Sequence, residues 1–393
     1  MTTMTLRTRM ERRKREAAGL VLDYEAISPV AHVAEPVGRG PVFETLLDYL
    51  DPVLDGTVPP NAYVWGPAGA GKSAVVTALF AHLRPRRSRL DSIVHTATRT
   101  SGREPTQSFV YVDAREATTD FGLYHAILDG VVEESVPTQG VRTDTLLDQL
   151  RDALAHPTRR AVVAVDHVGE AETYALSALG DRLDGLGESL AWLAIGRRPP
   201  ADFDCDPPRK RIEVPAYDTE TLVDIVSSRA MAGLDARALT HQQCRPVAAW
   251  ADGSAHDALA ALFAAADRAN ARGRSRIDDG DIAHARDSVP RGAVSLPQVL
   301  TLAPNRQRVL RALLDVETDA CASVEETAAA IAAEVDLSAG TVKRYLYELA
   351  DDGIVERVRT SDGTSGRPPS RVEPRFPTRV FRRLYDGSQP SEL

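Results

Sequence analysis

The chain has 393 residues, 43% of them hydrophobic, and a formal net charge of −9 from 47 basic and 56 acidic residues. That length implies two or three domains. No apolar run approaches the ~20 residues that span a bilayer, and Cys205, Cys244 and Cys321 are too scattered for a disulfide framework or a metal-ligand spacing; a cytoplasmic protein without a membrane partner is expected.

Residues 1–30 carry Arg7, Arg9, Arg12, Arg13, Lys14 and Arg15 without an apolar core, which reads as a basic flexible arm and not a secretory signal. Residues 31–215 alternate short apolar runs with helical periods, the pattern of an α/β layer structure. The candidate strands are Ala62–Trp65, Phe109–Val112, Ala161–Val165, Trp192–Ile195 and Ile212–Val214. They are continuously apolar, as strands buried on both faces are. The polar stretch from Arg84 to Gln107 reads as a surface excursion. Residues 216–292 read as all-helical, with Ala258, Leu259, Leu262, Phe263 and Ala266 at helical spacing. Residues 291–300, with Gly292 and Pro297, look like a linker. Residues 300–386 form a third unit.

The strongest chemical signal is Gly66-Pro67-Ala68-Gly69-Ala70-Gly71-Lys72-Ser73, which follows the first strand and opens the helix Ser73–His82. This is the G-x-x-x-x-G-K-S phosphate loop in its required strand–loop–helix context. Its glycines let backbone amides turn inward on a phosphate, and the helix N-terminus adds its positive end. Gly66, Pro67, Gly69, Ala70, Gly71, Lys72 and Ser73 are therefore expected to hold ATP or ADP. Lys72 reaches the β- and γ-phosphates and Ser73 gives Mg²⁺ a hydroxyl. The run Ala161–Val165 ends in Asp166, the second expected Mg²⁺ ligand.

The hydrolytic residues are less regular. His167 follows Asp166, where AAA+ ATPases usually carry a glutamate, and Glu170 lies three residues on. An imidazole is able to act as a base near neutrality, so His167 and Glu170 are the catalytic candidates. No asparagine follows the fourth strand, which runs into Arg197 and Arg198. Nucleotide acting as a switch is the expectation, and slow ATP hydrolysis is left open.

In the third unit, Asn305–Leu314, Val324–Val335 and Ala339–Leu349 read as three helices, the last capped by Ser338. Val342, Leu346 and Leu349 give that helix an apolar stripe and leave Thr341, Lys343, Arg344 and Tyr347 near its other face. This is a helix-turn-helix with its third helix as the groove reader. Gly353–Arg359 and Arg371–Glu373 flank a turn and read as a hairpin wing, with Arg367 at the tip and Arg371 on the returning strand. From Ile354 to Tyr385 there are eight arginines and three acidic residues. Double-stranded DNA is the expected partner.

These segments resemble the archaeal Orc1/Cdc6 family over most of the chain. Val37-Gly38-Arg39, Tyr111-Val112-Asp113-Ala114-Arg115, Ala216-Tyr217-Asp218 through Arg229, and Asp252-Gly253-Ser254-Ala255-His256 are similar to its motifs. The resemblance implies an AAA+ P-loop NTPase domain, an all-helical lid and a C-terminal winged helix. It implies that Tyr217 packs near the adenine, that Arg229 lies beside the nucleotide, and that His256 stands where the family's sensor arginine stands. It also implies origin recognition, with a replicative helicase or other AAA+ subunits as partners. Only four of the basic residues are lysines, a balance similar to that of haloarchaeal proteins, and the departures at His167, Arg197 and His256 suggest a divergent paralogue. A nucleotide-sensing transcriptional regulator with the same domains is the alternative.

Overall fold

The computed structural model describes residues 19–84, 106–291, 294–316, 323–359 and 370–388. They fall into two compact units, one spanning 32–216 and one combining the N-terminal segment up to 31 with 217 onward.

The first unit is built on a five-stranded parallel sheet: β1 (Ala62–Trp65), β2 (Thr106–Asp113), β3 (Arg159–Val168), β4 (Leu190–Gly196) and β5 (Lys210–Glu213), in the order β2-β3-β4-β1-β5. Val64 pairs with Ile195 on one side and Ile212 on the other. The helices are α1 (Gly40–Leu54), α2 (Lys72–Leu83), α3 (Asp120–Val131), α4 (Thr143–Leu154) and α5 (Leu176–Leu183). Side chains of β3 alternate between two cores. Val163 and Val165 pack with Leu123, Ile127, Leu146, Leu150 and Leu179 from α3, α4 and α5. Val162 and Ala164 pack on the other face with Leu46, Val75 and Leu79 from α1 and α2. Each such buried aliphatic side chain contributes roughly 1.5–3 kcal/mol. All five expected strands are present, with β2, β3 and β4 longer at both ends; Val214 lies just past β5.

The second unit begins with residues 19–31. Leu20, Val21 and Ile27 are buried, and Val21 bridges Leu234. The arm expected over 1–30 therefore does not include residues 19–30, because their apolar side chains seat on the helices that follow; residues 1–18 lie outside the described residues. Those helices are α6 (Thr219–Gly233), α7 (His241–Ala251), α8 (Ala255–Ala271) and α9 (Asp279–Ser288). α8 is buried along most of its length through Ala258 to Ala266.

The linker expected over 291–300 is corrected by α10 (Leu296–Leu300), a short helix with Leu296 and Val299 fully buried. Pro297 sits in its first turn, where a missing N–H costs no intrahelical bond. Then come α11 (Pro304–Leu313), α12 (Val324–Glu334), α13 (Ala339–Asp351), an antiparallel pair β6 (Val355–Arg359) and β7 (Ser370–Pro374), and α14 (Thr378–Ser388). Val309, Leu310, Ile331, Val342, Leu346 and Leu349 form the core of these helices. Ser323 and Ser338 accept from the amides of Glu326 and Thr341 and cap α12 and α13. No helix among the described residues is long and apolar enough to cross a membrane.

Candidate functional site

In open α/β sheets, ligands sit outside the carboxyl ends of the strands, where the strand order reverses. β1 lies between β4 and β5, and its carboxyl end runs into Gly66. Gly66 adopts φ 155°, and a Cβ there would stand 2.0 Å from the carbonyl oxygen of Val214. Only glycine lets the loop leave the sheet along this path. Gly69 and Gly71 also have positive φ, and Gly71 caps α2. Lys72 folds back so that Nζ donates to the carbonyls of Gly66 and Pro67, each at 2.8 Å. Burial pushes its amine down to about 8, although Asp166 and Glu170 oppose the shift.

Arg39 supports this loop from beneath. It is almost fully buried, and its Nη2 donates to the carbonyl of Ala70 at 2.7 Å and to that of Pro215 at 2.8 Å. In sequence Arg39 stands out only as the end of Val37-Gly38-Arg39. Its one signal is its place just ahead of a helix that itself precedes the first strand.

Asp166 lies at the carboxyl end of β3 and is buried. Burial raises a carboxylate's pKa, but His167, the hydroxyls of Ser73 and Tyr111, and the amide of His167 together hold Asp166 below the usual range. Tyr111 donates to Oδ2 and the His167 amide to Oδ1, both at 2.7 Å. Val165 pairs with Ala194 and Val168 with Gly196, so Asp166 and His167 together oppose the single residue Ile195. This is a β-bulge, and within it His167 takes φ 64°. A tight turn follows, with the amide of Glu170 donating to the carbonyl of His167.

The bulge and turn bring Glu170 back over the histidine. His167 Nδ1 is 3.1 Å from Glu170 Oε1, and Nε2 faces Asp166 Oδ2 at 3.7 Å and Asp113 Oδ2 at 3.9 Å. Arg197, just past β4, holds Glu170 Oε1 at 2.9 Å. Arg115 grips Asp113 with two hydrogen bonds of 3.1 and 2.8 Å. Burial would raise Glu170, but the bond from His167 and the charge of Arg197 hold its carboxyl below the usual range. Glu170 is thus ionised, so Nδ1 carries the shared proton and donates it. Asp113, Arg115 and Tyr111 were recognised in sequence only as a motif; the structure places them around His167 and Asp166.

The remaining expected residues lie in the second unit. Tyr217 is buried, and its amide donates to the carbonyl of Gly253. Arg229 is buried and donates to the carbonyls of Ser28 and Ala31. His256 pairs through Nδ1 with Asp257 at 3.1 Å, and its Nε2 accepts from the amide of Leu296 at 3.1 Å. On α13, Thr341 meets the hydroxyl of Ser338, Lys343 bonds Glu325, and Arg344 lies 3.7 Å from Glu348. Tyr347 lies beneath Arg357 of β6, whose guanidinium is 5.0 Å from the ring centre. Arg371 on β7 pairs with Glu373 at 2.6 Å. Arg367 lies outside the described residues.

A parallel sheet in this order, with a glycine–lysine–serine loop after β1 and an aspartate near the carboxyl end of β3, defines an AAA-type P-loop nucleotide-binding unit. The family model described as "AAA ATPase domain" matches residues 35–193. The chain is similar to the ORC1-type DNA replication protein of Pyrococcus abyssi, 23% identical over 87% of this chain and 85% of that one. It is also similar to ORC1-type DNA replication protein 5 of Halobacterium salinarum, 24% identical over 89% and 87%. Among solved structures it shares its fold with the Aeropyrum pernix ORC1 protein in complex with DNA, at 21% identity and a TM-score of 0.61, over 94% of this chain and 97% of that one. Over most of its length the chain is thus similar to ORC1-type DNA replication proteins.

Proposed function

We propose that this protein binds ATP and duplex DNA and acts in the initiation of DNA replication, with nucleotide as a conformational switch. The carrying observation is the intact phosphate cradle on β1 beside Asp166, in a chain that continues into a capped three-helix unit with an antiparallel hairpin. In this reading α6–α9 form the helical lid, and α11–α13 with β6 and β7 form a winged helix whose α13 enters the major groove. Phosphates lie on the amides of Gly66 to Ser73, with Lys72 swinging from the loop carbonyls to the β- and γ-phosphates. Tyr217, Arg229 and His256 are the proposed lid contributions to nucleotide binding. Thr341, Lys343, Arg344, Tyr347, Arg367 and Arg371 are the proposed DNA contacts.

The residues fit a magnesium-bound nucleotide. Ser73 and Asp166 set two hard oxygen donors side by side, and Glu170 Oε2 is a buried carboxylate oxygen without a partner among the described residues. Magnesium held there would neutralise phosphate charge. Hydrolysis, where it occurs, rests on Glu170 and His167: Glu170 fixes the ring through Nδ1, and Nε2, when it carries no proton, takes one from water.

The relatives' names point to replication and favour that reading over a transcriptional regulator. Recruitment of a helicase or of further AAA+ subunits belongs to the same proposal. The test is duplex binding with and without ATP, beside Lys72→Ala, together with mapping of the sites occupied in cells. Tighter binding with ATP, lost in the variant, and occupancy at replication origins are expected. Equal affinity with and without ATP removes the switch, and occupancy confined to promoters restores the regulator.

A further inference from the structure

The proposed DNA face is nearly neutral, although its basic residues are numerous. Across 339–359 and 370–375 there are six basic and five acidic residues. Four of the six basic residues lie against carboxylates. Lys343 of α13 bonds Glu325 of α12, and Arg344 lies near Glu348, which also binds Arg306 at 3.0 Å. On the hairpin, Arg371 pairs with Glu373 at 2.6 Å and Arg375 with Glu356 at 2.8 Å. These pairs are open to solvent: Glu325 is 62% exposed and Glu356 53%. Arg357 differs. It lies over the ring of Tyr347 and has no carboxylate partner among the described residues.

Ordinary protein–DNA binding releases cations from the duplex, so that log K falls with log salt by about 0.9 for each phosphate neutralised. Here a phosphate contact by Lys343, Arg371 or Arg375 must first displace a carboxylate. The freed glutamate stands beside a polyanion and draws in a cation from solution. One cation leaves the DNA and one joins the protein, and the dependence on salt cancels at that contact.

Resting on the reading that this face binds duplex DNA, we infer that it does so by exchanging carboxylate partners for phosphates, with cation uptake by Glu325, Glu356 and Glu373 offsetting cation release. Affinity then stays nearly level as salt rises. Arg357 supplies an uncompensated contact.

The test titrates KCl against the full chain bound to a labelled duplex of about 20 base pairs, two helical turns. It compares the wild type with Glu325→Gln, Glu356→Gln, Glu373→Gln and the triple variant. These substitutions keep shape, and exposed ion pairs contribute little to folding. The wild-type slope is expected to be shallow, between 0 and about −2, and to steepen by about one for each glutamate replaced. At low salt the triple variant is expected to bind at least about tenfold tighter, with the difference shrinking as salt rises. Asp144→Asn, in an exposed pair with Arg142 on the other unit, should leave the slope unchanged. Parallel lines for wild type and triple variant overturn the exchange while leaving DNA binding intact. Absence of duplex binding by any of these proteins overturns both.

Discussion

His167 Nδ1 stands 3.1 Å from Glu170 Oε1, although the two residues are three positions apart on a strand end that would normally point them away from each other. The bulge at Asp166 and His167 removes that divergence. Arg197 holds the glutamate from the other side, so the ring has one orientation, with Nε2 toward the Asp166 carboxylate.

A ring oriented in this way acts together with the group that orients it. Glu170→Gln and His167→Ala are each expected to lower single-turnover ATP hydrolysis by roughly 10²-fold or more. The double variant is expected to be no slower than the worse single one, because residues acting as a unit are not additive. ATP affinity should change only a few-fold in all three. Hydrolysis at the wild-type rate in Glu170→Gln would remove the pair from the chemistry.

Lys72 makes a pH dependence that has a definite sign. Burial brings its folded pKa down to about 8, from an ordinary lysine value of 10.5. The folded, nucleotide-free state therefore disfavours the charged amine. The penalty is full below pH 8, fades as pH climbs from 8 to 10.5, and is at most about 3 kcal/mol. Stability of Lys72→Met relative to wild type should thus be greatest near pH 7 and decline toward pH 10, as read by denaturant unfolding without nucleotide. ATP needs the protonated amine, so wild-type affinity should hold up to pH 8 and then weaken about tenfold per unit. A flat affinity from pH 7 to 9.5 contradicts the shift.

What the sequence disclosed follows from how local each signal is. The phosphate loop is a contiguous pattern whose glycines answer to backbone geometry, and Gly66 shows why: no side chain fits against the carbonyl of Val214. Asp166 was legible because it ends a strand of unbroken apolar residues. The approach of Glu170 to His167 was not, since it depends on a non-glycine residue at φ 64° within a bulge, which no local pattern marks. Pro297 reads as a break in sequence, yet a proline in a first turn continues into α10. Arg39 escaped because its partners, Ala70 and Pro215, lie 31 and 176 residues away.

Arg39 offers the sharpest separation of support from chemistry. A methionine at this position fills the space but leaves the carbonyls of Ala70 and Pro215 without their buried donor. Each unsatisfied group costs about 1–3 kcal/mol. For a unit of this size that corresponds to a Tm lower by roughly 5–15 °C. Ala70 belongs to the phosphate loop, so ATP affinity should also fall, by at least about tenfold, at temperatures where Arg39→Met is fully folded. Arg39→Lys keeps one donor within reach and should recover part of both losses. A variant that melts as the wild type does and binds ATP equally well would show that the loop keeps its shape without the guanidinium. A variant that melts early yet binds ATP normally when cold would confine Arg39 to stability.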